Sequence, residues 1–534
     1  MPFPVFPVEA PVAVWTNEGF LGSFDVFRHA FIASSHTGCS AGATYALAER
    51  YGGDGLGRNG GGARCGVVAG IQIKGVGRNP LASRGTDYYH SYGGASLKEA
   101  ALDAIWGEVA EVALPHGGVR CLGVVATGTN VPVKYPSTQE SDVAPRAIYF
   151  RKPALRMGHL LRAAYFDSET GYIEGGIADN IRTQATIRWW LDPSQQSSVE
   201  GVLSPAKADR IEIASTRIKE CLLKHAAQLA AARAKRLMHG SLTGSNICLD
   251  GRWIDFVSSS AISDFGPVVI PRGSPDFLHE EDLIFRALNQ LMFYVNKYAD
   301  LGIDVGAEVR SVWKVFLTRF RECLELEFLK LFGIEFSEIS AIPTSIRTSL
   351  YSSMQEVNHQ GAGHPFSILS VDPEHIPEMP ERFGTNKLNE AIAAASLARS
   401  SDELEQLVGP AIPHEQTRRV FLSNVSLLDS WLNEKQGRSP TRLFKTLCRN
   451  APLQFLYRTD LHPRIVARYQ DPASMSNLIS EVVGNANLLL GEAALHVANV
   501  NRRPTLDDTR ALLMSLYPDY LRSSISDEKL WRSL

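Results

Sequence analysis

Glycine is crowded into one stretch of this chain, Gly52 to Gly94, where the run YGGDGLGRNGGGARCG leads into the apolar segment VVAGIQIKGVG. Glycine adopts φ > 0 at little steric cost and lets the backbone approach a neighbour closely. The stretch therefore predicts a loop or hairpin of left-handed turns, followed by a strand ending at Lys74. A literal GxGxxG occurs at Gly55, Gly57 and Gly60. A dinucleotide fold needs a strand before that motif and a helix after it. Here the preceding ATYALAERY reads as a helix and more glycine follows, so the motif is read as a turn, and no GK[ST] triphosphate loop is present.

The next element is a helix from about Ser96 to Glu111, with Leu97, Ala101, Ile105 and Val112 at helical spacing. A strand-end lysine is ordinarily solvated. Beneath a glycine-rich turn, and paired to a carboxylate on the following helix, it is instead the device by which kinase-like folds hold ATP phosphates. A second constellation strengthens that reading of Lys74. A long helix over Ile218–Met238 runs into HGSLTGSN (His239 to Asn246), then ICLDGRWI, then Asp255. Asp250-Gly251 between two short apolar runs is a hairpin signal. It would bring Asn246 and Asp255, two oxygen donors suited to a hard cation, to one edge of a cleft. The competing reading is an ordinary helix–hairpin corner.

Other motifs are set aside on context. Asp264-Phe265-Gly266 is a literal DFG, but it lies beyond the hairpin, where Asp255 is the better placed ligand. Gly38-Cys39-Ser40-Ala41-Gly42 matches a nucleophile elbow, yet IASSHT before it makes a poor strand. His359, His364 and His375 read as loop histidines, and seven scattered cysteines without a CxxC pair suggest neither disulfides nor zinc.

At 534 residues the chain predicts several domains or one composite fold. Lys+Arg of 54 against Asp+Glu of 57 lacks the basic excess of a nucleic-acid binder. No apolar run is long enough for a membrane helix. The N-terminal MPFPVFPVEAPVAVW reads as a packed extended arm, and a cytoplasmic location is expected. Short strands are expected around Cys121–Thr127 and Ala147–Arg151, helices over 274–332, a surface connection over 361–383, and helices throughout the rest.

With these residues in hand, the chain resembles the SelO (YdiU) family of protein adenylyltransferases, which have an atypical protein-kinase fold. YGGDGLG is similar to the family's Tyr-x-Gly-x-x-x-Gly, GGAR (Gly61, Gly62, Ala63, Arg64) to its Gly-Asp-Gly-Arg turn, and KGVGRNP to its Lys-Gly-x-Gly-x-x-Pro. Arg151 with Leu155-Arg156-x-Gly158-His159 resembles its Arg…Leu-Arg-Phe-Gly-His segment, and HGSLTGSN…Asp255 resembles its His-Gly…Asp-Asn…Asp loop. The match runs from about Leu47 to Phe256. HSYGGASLKEA is also similar to microcin-maturation proteins of the MchC type, which assist ATP-dependent joining of a peptide carboxylate to a siderophore sugar.

The resemblance implies an α+β, bilobal protein-kinase-like fold with an added all-helical C-terminal region. Its N-lobe would be 1–135, its C-lobe 136–345 and its helical region 346–534, which would buttress the core or bind a partner protein. ATP and Mg²⁺ are the implied cofactors, with Gly61, Ala63, Arg64, Lys74, Gly93, Arg151 and Arg156 on the nucleotide and Asn246 and Asp255 on the metal. The expected helix partner of Lys74 is Asp103, with Glu108 as competitor. Departures are informative: the family's acidic residue before the metal-binding Asn is Ser245, the ordinary kinase aspartate is Ser241, and Tyr92-Gly93 replaces an Asp-Gly. The loop thus offers Ser245 rather than a carboxylate base. A hydroxyl nucleophile gains about 10²–10⁴-fold from a base, whereas a carboxylate nucleophile needs none. The implied activity is nucleotidyl transfer to a protein hydroxyl or to a peptide or small-molecule carboxylate. The alternatives are carboxylate activation in peptide maturation and a catalytically silent ATP-binding scaffold.

Overall fold

The computed structural model describes residues 1–17, 24–33, 44–86, 92–133, 142–168, 175–192, 206–262, 277–361, 387–436, 440–491, 506–527 and 531. Asp264-Phe265-Gly266, Gly38–Gly42, His364, His375 and nearly all of the 361–383 connection lie outside them. His359 falls in the last turn of the helix Thr344–Gly361 rather than in a loop.

The chain is mixed α+β. Eight strands form one antiparallel sheet: β1 (Pro2–Pro7), β2 (Val12–Thr16), β3 (Phe31–Ile32), β4 (Thr44–Leu47), β5 (Cys65–Val68), β6 (Ile71–Lys74), β7 (Cys121–Val133) and β8 (Asp142–Arg151), in spatial order β2-β7-β8-β6-β5-β4-β1-β3. Each face of this sheet is covered. Phe3, Val5, Ile73, Leu122, Val125, Ile148 and Phe150 share one core. Val124, Ala147 and Tyr149 join a second, much larger core with helix α1 (Leu97–Ala113). Because side chains alternate across a strand, Ile71 and Ile73 of β6 commit Gln72 and Lys74 to the α1 face. In β8, Ile148 and Phe150 likewise commit Tyr149 and Arg151 to it.

One expectation is corrected here. ATYALAERY, helical by its alanine, leucine and glutamate content, contains strand β4, paired with β1 and β5. Sheet pairing overrides a propensity worth only tenths of a kcal/mol per residue. Strand β8 is part of the same sheet, paired with β6 and β7, so the sheet unit continues past residue 135.

Further helices follow: α2 (Gly175–Leu191), α3 (Lys207–Ala234), α4 (Glu281–Ala299) and α5 (Val305–Lys330). The expected helix over Ile218–Met238 starts earlier and stops at Ala234, and Leu237–Met238 pairs as a short strand with Ser260–Ala261. Everything described after residue 386 is helical, apart from connecting turns. This helical region is packed onto the sheet unit: the helix Pro472–Leu490 lies against α1 and β2. Arg458, at the start of the helix Arg458–Val466, donates its backbone N–H to Ser260 Oγ (3.0 Å) and its Nη1 to Val257 O (3.3 Å), just beyond Asp255. Among the described residues, no helix is long and apolar enough to cross a membrane.

Candidate functional site

Strand alternation puts Lys74 and Arg151 on one face of the sheet, and both reach Asp255. Lys74 Nζ donates to Asp255 Oδ1, Arg151 Nη2 lies 2.9 Å from the same oxygen, and Arg156 Nη1 lies 2.9 Å from Oδ2. Burial, the largest single influence on Asp255, opposes ionisation, but Arg151, Lys74 and Arg156 outweigh it and hold its carboxyl well below the usual range. Among the described residues, Asp255 is one of four non-glycine residues with left-handed backbone (φ 67°). That conformation costs of order 1–3 kcal/mol and concentrates at functional sites. Arg156 is held over the Tyr51 ring, 4.7 Å from its centroid. Its Nε and Nη2 are buried without a hydrogen-bond partner.

The segment from His239 to Asn246 forms the opposite wall. His239 Nε2 lies 3.1 Å from Ile254 O, and burial pulls the ring's pKa down to about 4, so it is a neutral structural bridge. Asn246 donates Nδ2 to Ser241 O (2.9 Å), and among the described residues its Oδ1 accepts only a long contact from Ser245 Oγ (3.4 Å). The tight turn at Asp250-Gly251 forms as expected: Ile247 bridges Trp253, Gly251 has φ 99°, and Ile254 N donates to Asn246 O (3.1 Å). The hydroxyl of Ser245 is fully engaged, 2.8 Å from Thr243 Oγ1 and 2.9 Å from Asp54 O.

That last contact shows where the glycines go. The segment 52–62 is folded back onto the loops at 158–162 and 243–245. A Cβ on Gly52 would lie 2.1 Å from Arg162 C, and one on Gly55 3.0 Å from Thr243 Oγ1. Gly61, with φ 146°, would meet Glu49 O at 2.3 Å. Gly61, Ala63, Arg64, Lys74, Ser245, Asn246 and Asp255 all line one open cleft. Gly93, Arg151 and Arg156 do not: both arginines are fully buried behind Asp255, and the Gly93 carbonyl accepts the Gly77 N–H (3.0 Å), which braces the turn after Lys74.

The expected pairing of Lys74 with Asp103, or with Glu108, is not what forms. Asp103 is fully buried and holds Arg151 Nη1 (3.2 Å) and the Phe256 N–H (2.9 Å). Glu108 holds Arg120 (2.6 Å) and Asn17 Nδ2 (2.7 Å). Both point to the sheet side of α1, one and two turns beyond the residue that does reach the cleft wall, Glu99. It pairs with Arg64 Nη1 (2.8 Å) and accepts the Tyr92 hydroxyl (2.7 Å). Burial alone would raise the Glu99 pKa, but Arg64 and the Ser96 N–H prevail and bring it to about 2. Ser96-x-x-Glu99 is a capping box and was legible as one. Also missed were Glu49 and Gln72. Glu49 accepts from Gln72 Nε2 and lies 3.2 Å from His159 Nε2, while Gln72 Oε1 accepts from Arg151 Nε. Gln72 and Arg151 are cross-strand neighbours. Strand parity around IQIK was the signal for Gln72, and nothing local marks Glu49.

Among the described residues, no three of His, Cys, Asp or Glu come together as a metal-holding group. The cleft nevertheless carries two hard oxygen donors in Asn246 Oδ1 and the Asp255 carboxylate. That set suits Mg²⁺, which is commonly held by one or two carboxylates with substrate phosphates and water completing its shell. A larger cavity of about 200 Å³ lies among the C-terminal helices, between Phe332, Leu397, Val425, Leu428 and Leu443. It is remote from these residues, and its polar rim is tied up in ion pairs such as Arg399–Asp527 and Arg442–Asp429.

No protein-family model matches this chain, and no curated protein matches it either.

Proposed function

We propose that this chain binds Mg-ATP in the Lys74–Asn246–Asp255 cleft and transfers AMP from it, as the SelO-type adenylyltransferases it resembles do. The observation that carries the reading is the convergence of Lys74, Arg151 and Arg156 on the single carboxylate of Asp255 at the foot of a glycine-lined cleft. Asp103 shares Arg151, and Glu49 lies 4.0 Å from Arg156, so the buried charges are balanced, and Lys74 and Arg64 are the cationic side chains that the cleft itself presents to a polyphosphate. An antiparallel sheet backed by α1 above the 239–255 corner supports a bilobal kinase-like arrangement.

In this reading Asn246 and Asp255 hold the divalent cation, which would neutralise charge developing on the phosphates. Lys74 orients the triphosphate, Arg151 and Arg156 position Asp255 from the buried side, and the Glu99–Arg64 pair fixes the cleft wall. Nucleotidyl and phosphoryl transfers are driven mainly by such positioning and charge neutralisation. The acceptor is a protein hydroxyl or a peptide or small-molecule carboxylate, the latter being the chemistry of peptide maturation. A second reading, an ATP-binding scaffold, draws on the saturation of Asp255 by cations and on the absence of a carboxylate between His239 and Asn246.

The deciding experiment supplies Mg²⁺ and ATP labelled at the α- or the γ-phosphate, with K74A and D255A alongside and pyrophosphate release followed in parallel. α-Label on protein, or pyrophosphate release that both variants lose, establishes nucleotidyl transfer. γ-Label alone makes the chain a kinase. Neither label, with ATP still raising Tm, leaves the scaffold.

A further inference from the structure

We propose that Asp54, on the glycine-rich segment, is the general base for a hydroxyl acceptor in this cleft, replacing the carboxylate that the 239–246 loop lacks. This rests on the adenylyl-transfer reading above.

The other carboxylates around the cleft are taken up by cations. Asp255 is held by Lys74, Arg151 and Arg156, Asp103 by Arg151, and Glu99 by Arg64. Glu49 lies 3.2 Å from His159 and 4.0 Å from Arg156. A carboxylate locked against cations is a poor proton acceptor, because its charged form is what those neighbours stabilise.

Asp54 is placed differently. Its carbonyl accepts the Ser245 hydroxyl at 2.9 Å, so the backbone of residue 54 lies against the loop position where the base is missing. Ser245 Oγ is in turn 3.4 Å from Asn246 Oδ1, the candidate metal ligand. Glycines with φ 90° on both sides, Gly53 and Gly55, let the backbone press this closely onto the loop. The Asp54 side chain is exposed, next in the chain to Gly55 and Leu56, which line the cleft, and among the described residues it makes no ion pair. Its Oδ1 accepts a hydrogen bond from Gln290 Nε2 (3.0 Å). Gln290 is on α4 one turn beyond Ala287, whose Cβ backs Gly244 of the same loop. A neutral amide orients the carboxylate without cancelling its charge, which leaves Oδ2 to take a proton.

In the step this implies, a lone pair on the acceptor oxygen forms a bond to the α-phosphorus as its proton passes to Asp54 Oδ2. The bond from that phosphorus to the α,β-bridging oxygen breaks, and pyrophosphate leaves with the electron pair. The proton is then released to solvent at the exposed rim.

The test uses the full chain with Mg-ATP and water as the acceptor, measuring AMP and pyrophosphate release. D54N, D54A, D54A with added formate, and K74A are compared, and the Tm shift on adding Mg-ATP is recorded for each. We expect D54N and D54A to turn over about 10²–10⁴-fold more slowly with an unchanged Tm shift, and formate to restore part of the D54A rate. Turnover within twofold of wild type in D54N overturns the assignment. So does a loss accompanied by a lost Tm shift and no formate rescue, which makes Asp54 merely structural. A wild-type chain that shows the Tm shift but turns over no faster than K74A removes the base together with the transfer reading. One that shows neither removes nucleotide binding itself.

Discussion

Arg151 Nη2 stands 2.9 Å from Oδ1 of Asp255, and its guanidinium is fully buried between that carboxylate and Asp103. Two acids on different elements, one on α1 and one just after the 247–254 turn, are thus tied through a single strand residue. Burial would favour a neutral Arg151, but Asp255 and Asp103 together hold it firmly protonated.

Removing one end of such a cluster strands the rest. D255A leaves Lys74, Arg151 and Arg156 crowded together with no shared counter-charge, and breaking a buried pair in this way costs about 3–5 kcal/mol. The variant should show that loss in denaturant unfolding and should release pyrophosphate at least ~100-fold more slowly, the range expected when a charge-stabilising group is lost. Unfolding within ~1 kcal/mol of wild type, the scale of an exposed pair, would mean that the three cations find other partners.

Gln72 carries no charge and touches no cleft space, yet it links Glu49 to Arg151 Nε. Q72A removes hydrogen bonds to two charged groups, each worth about 1.5–3 kcal/mol. The KM for Mg-ATP should rise roughly 10-fold or more while kcat changes much less. Steady-state kinetics on pyrophosphate release would separate the two.

Glu99 offers a prediction with a definite pH window. Its folded pKa of about 2 lies below its ordinary 4.5. A depressed carboxylate contributes stability that is present above 4.5 and is lost as pH falls through about 2. E99Q should therefore be less stable than wild type by about 2–3 kcal/mol at pH 7, and the gap should close as the two are titrated towards pH 2. A gap that stays constant with pH would assign the loss to packing rather than to the Arg64 pair.

Glu280 behaves in the opposite sense. It is buried at the start of α4, with Oε1 accepting the Gly240 N–H (2.7 Å) and Oε2 without a partner. Burial, only partly offset by that N–H and by Arg233, pushes its pKa up to about 8. A raised carboxyl contributes stability that is full below 4.5 and is lost as pH rises through about 8. Relative to wild type, E280Q should gain stability across that window, at up to ~1.4 kcal/mol per pH unit, and the difference should level off above it. Unfolding free energies at several pH values from 4 to 9 would check this.

What could be read from the chain alone was local. Glycine-rich turns, the alternation in IQIK, the helix over Leu97–Ala113 and the Asp250-Gly251 turn are short-range consequences of backbone sterics and side-chain periodicity, and all of them form. The residues lining the cleft were legible for the same reason, since Arg64, Lys74, Asn246 and Asp255 each lie at a turn or strand end marked by its own neighbours. The fate of Thr44–Leu47 was not legible, because its residues suit a helix and only the strands on either side make it extended. Which charge meets which was also decided only by the tertiary structure. Lys74 and Asp255 are 181 residues apart, and α1 carries four acids, Glu99, Asp103, Glu108 and Glu111. Rotation of that helix against the sheet turns Asp103 to Arg151 and Glu108 to Arg120, and leaves Glu99 for Arg64. Charge is carried by the sequence, but a Coulomb contact in a dry site depends on distances of a few ångströms, and packing sets those distances.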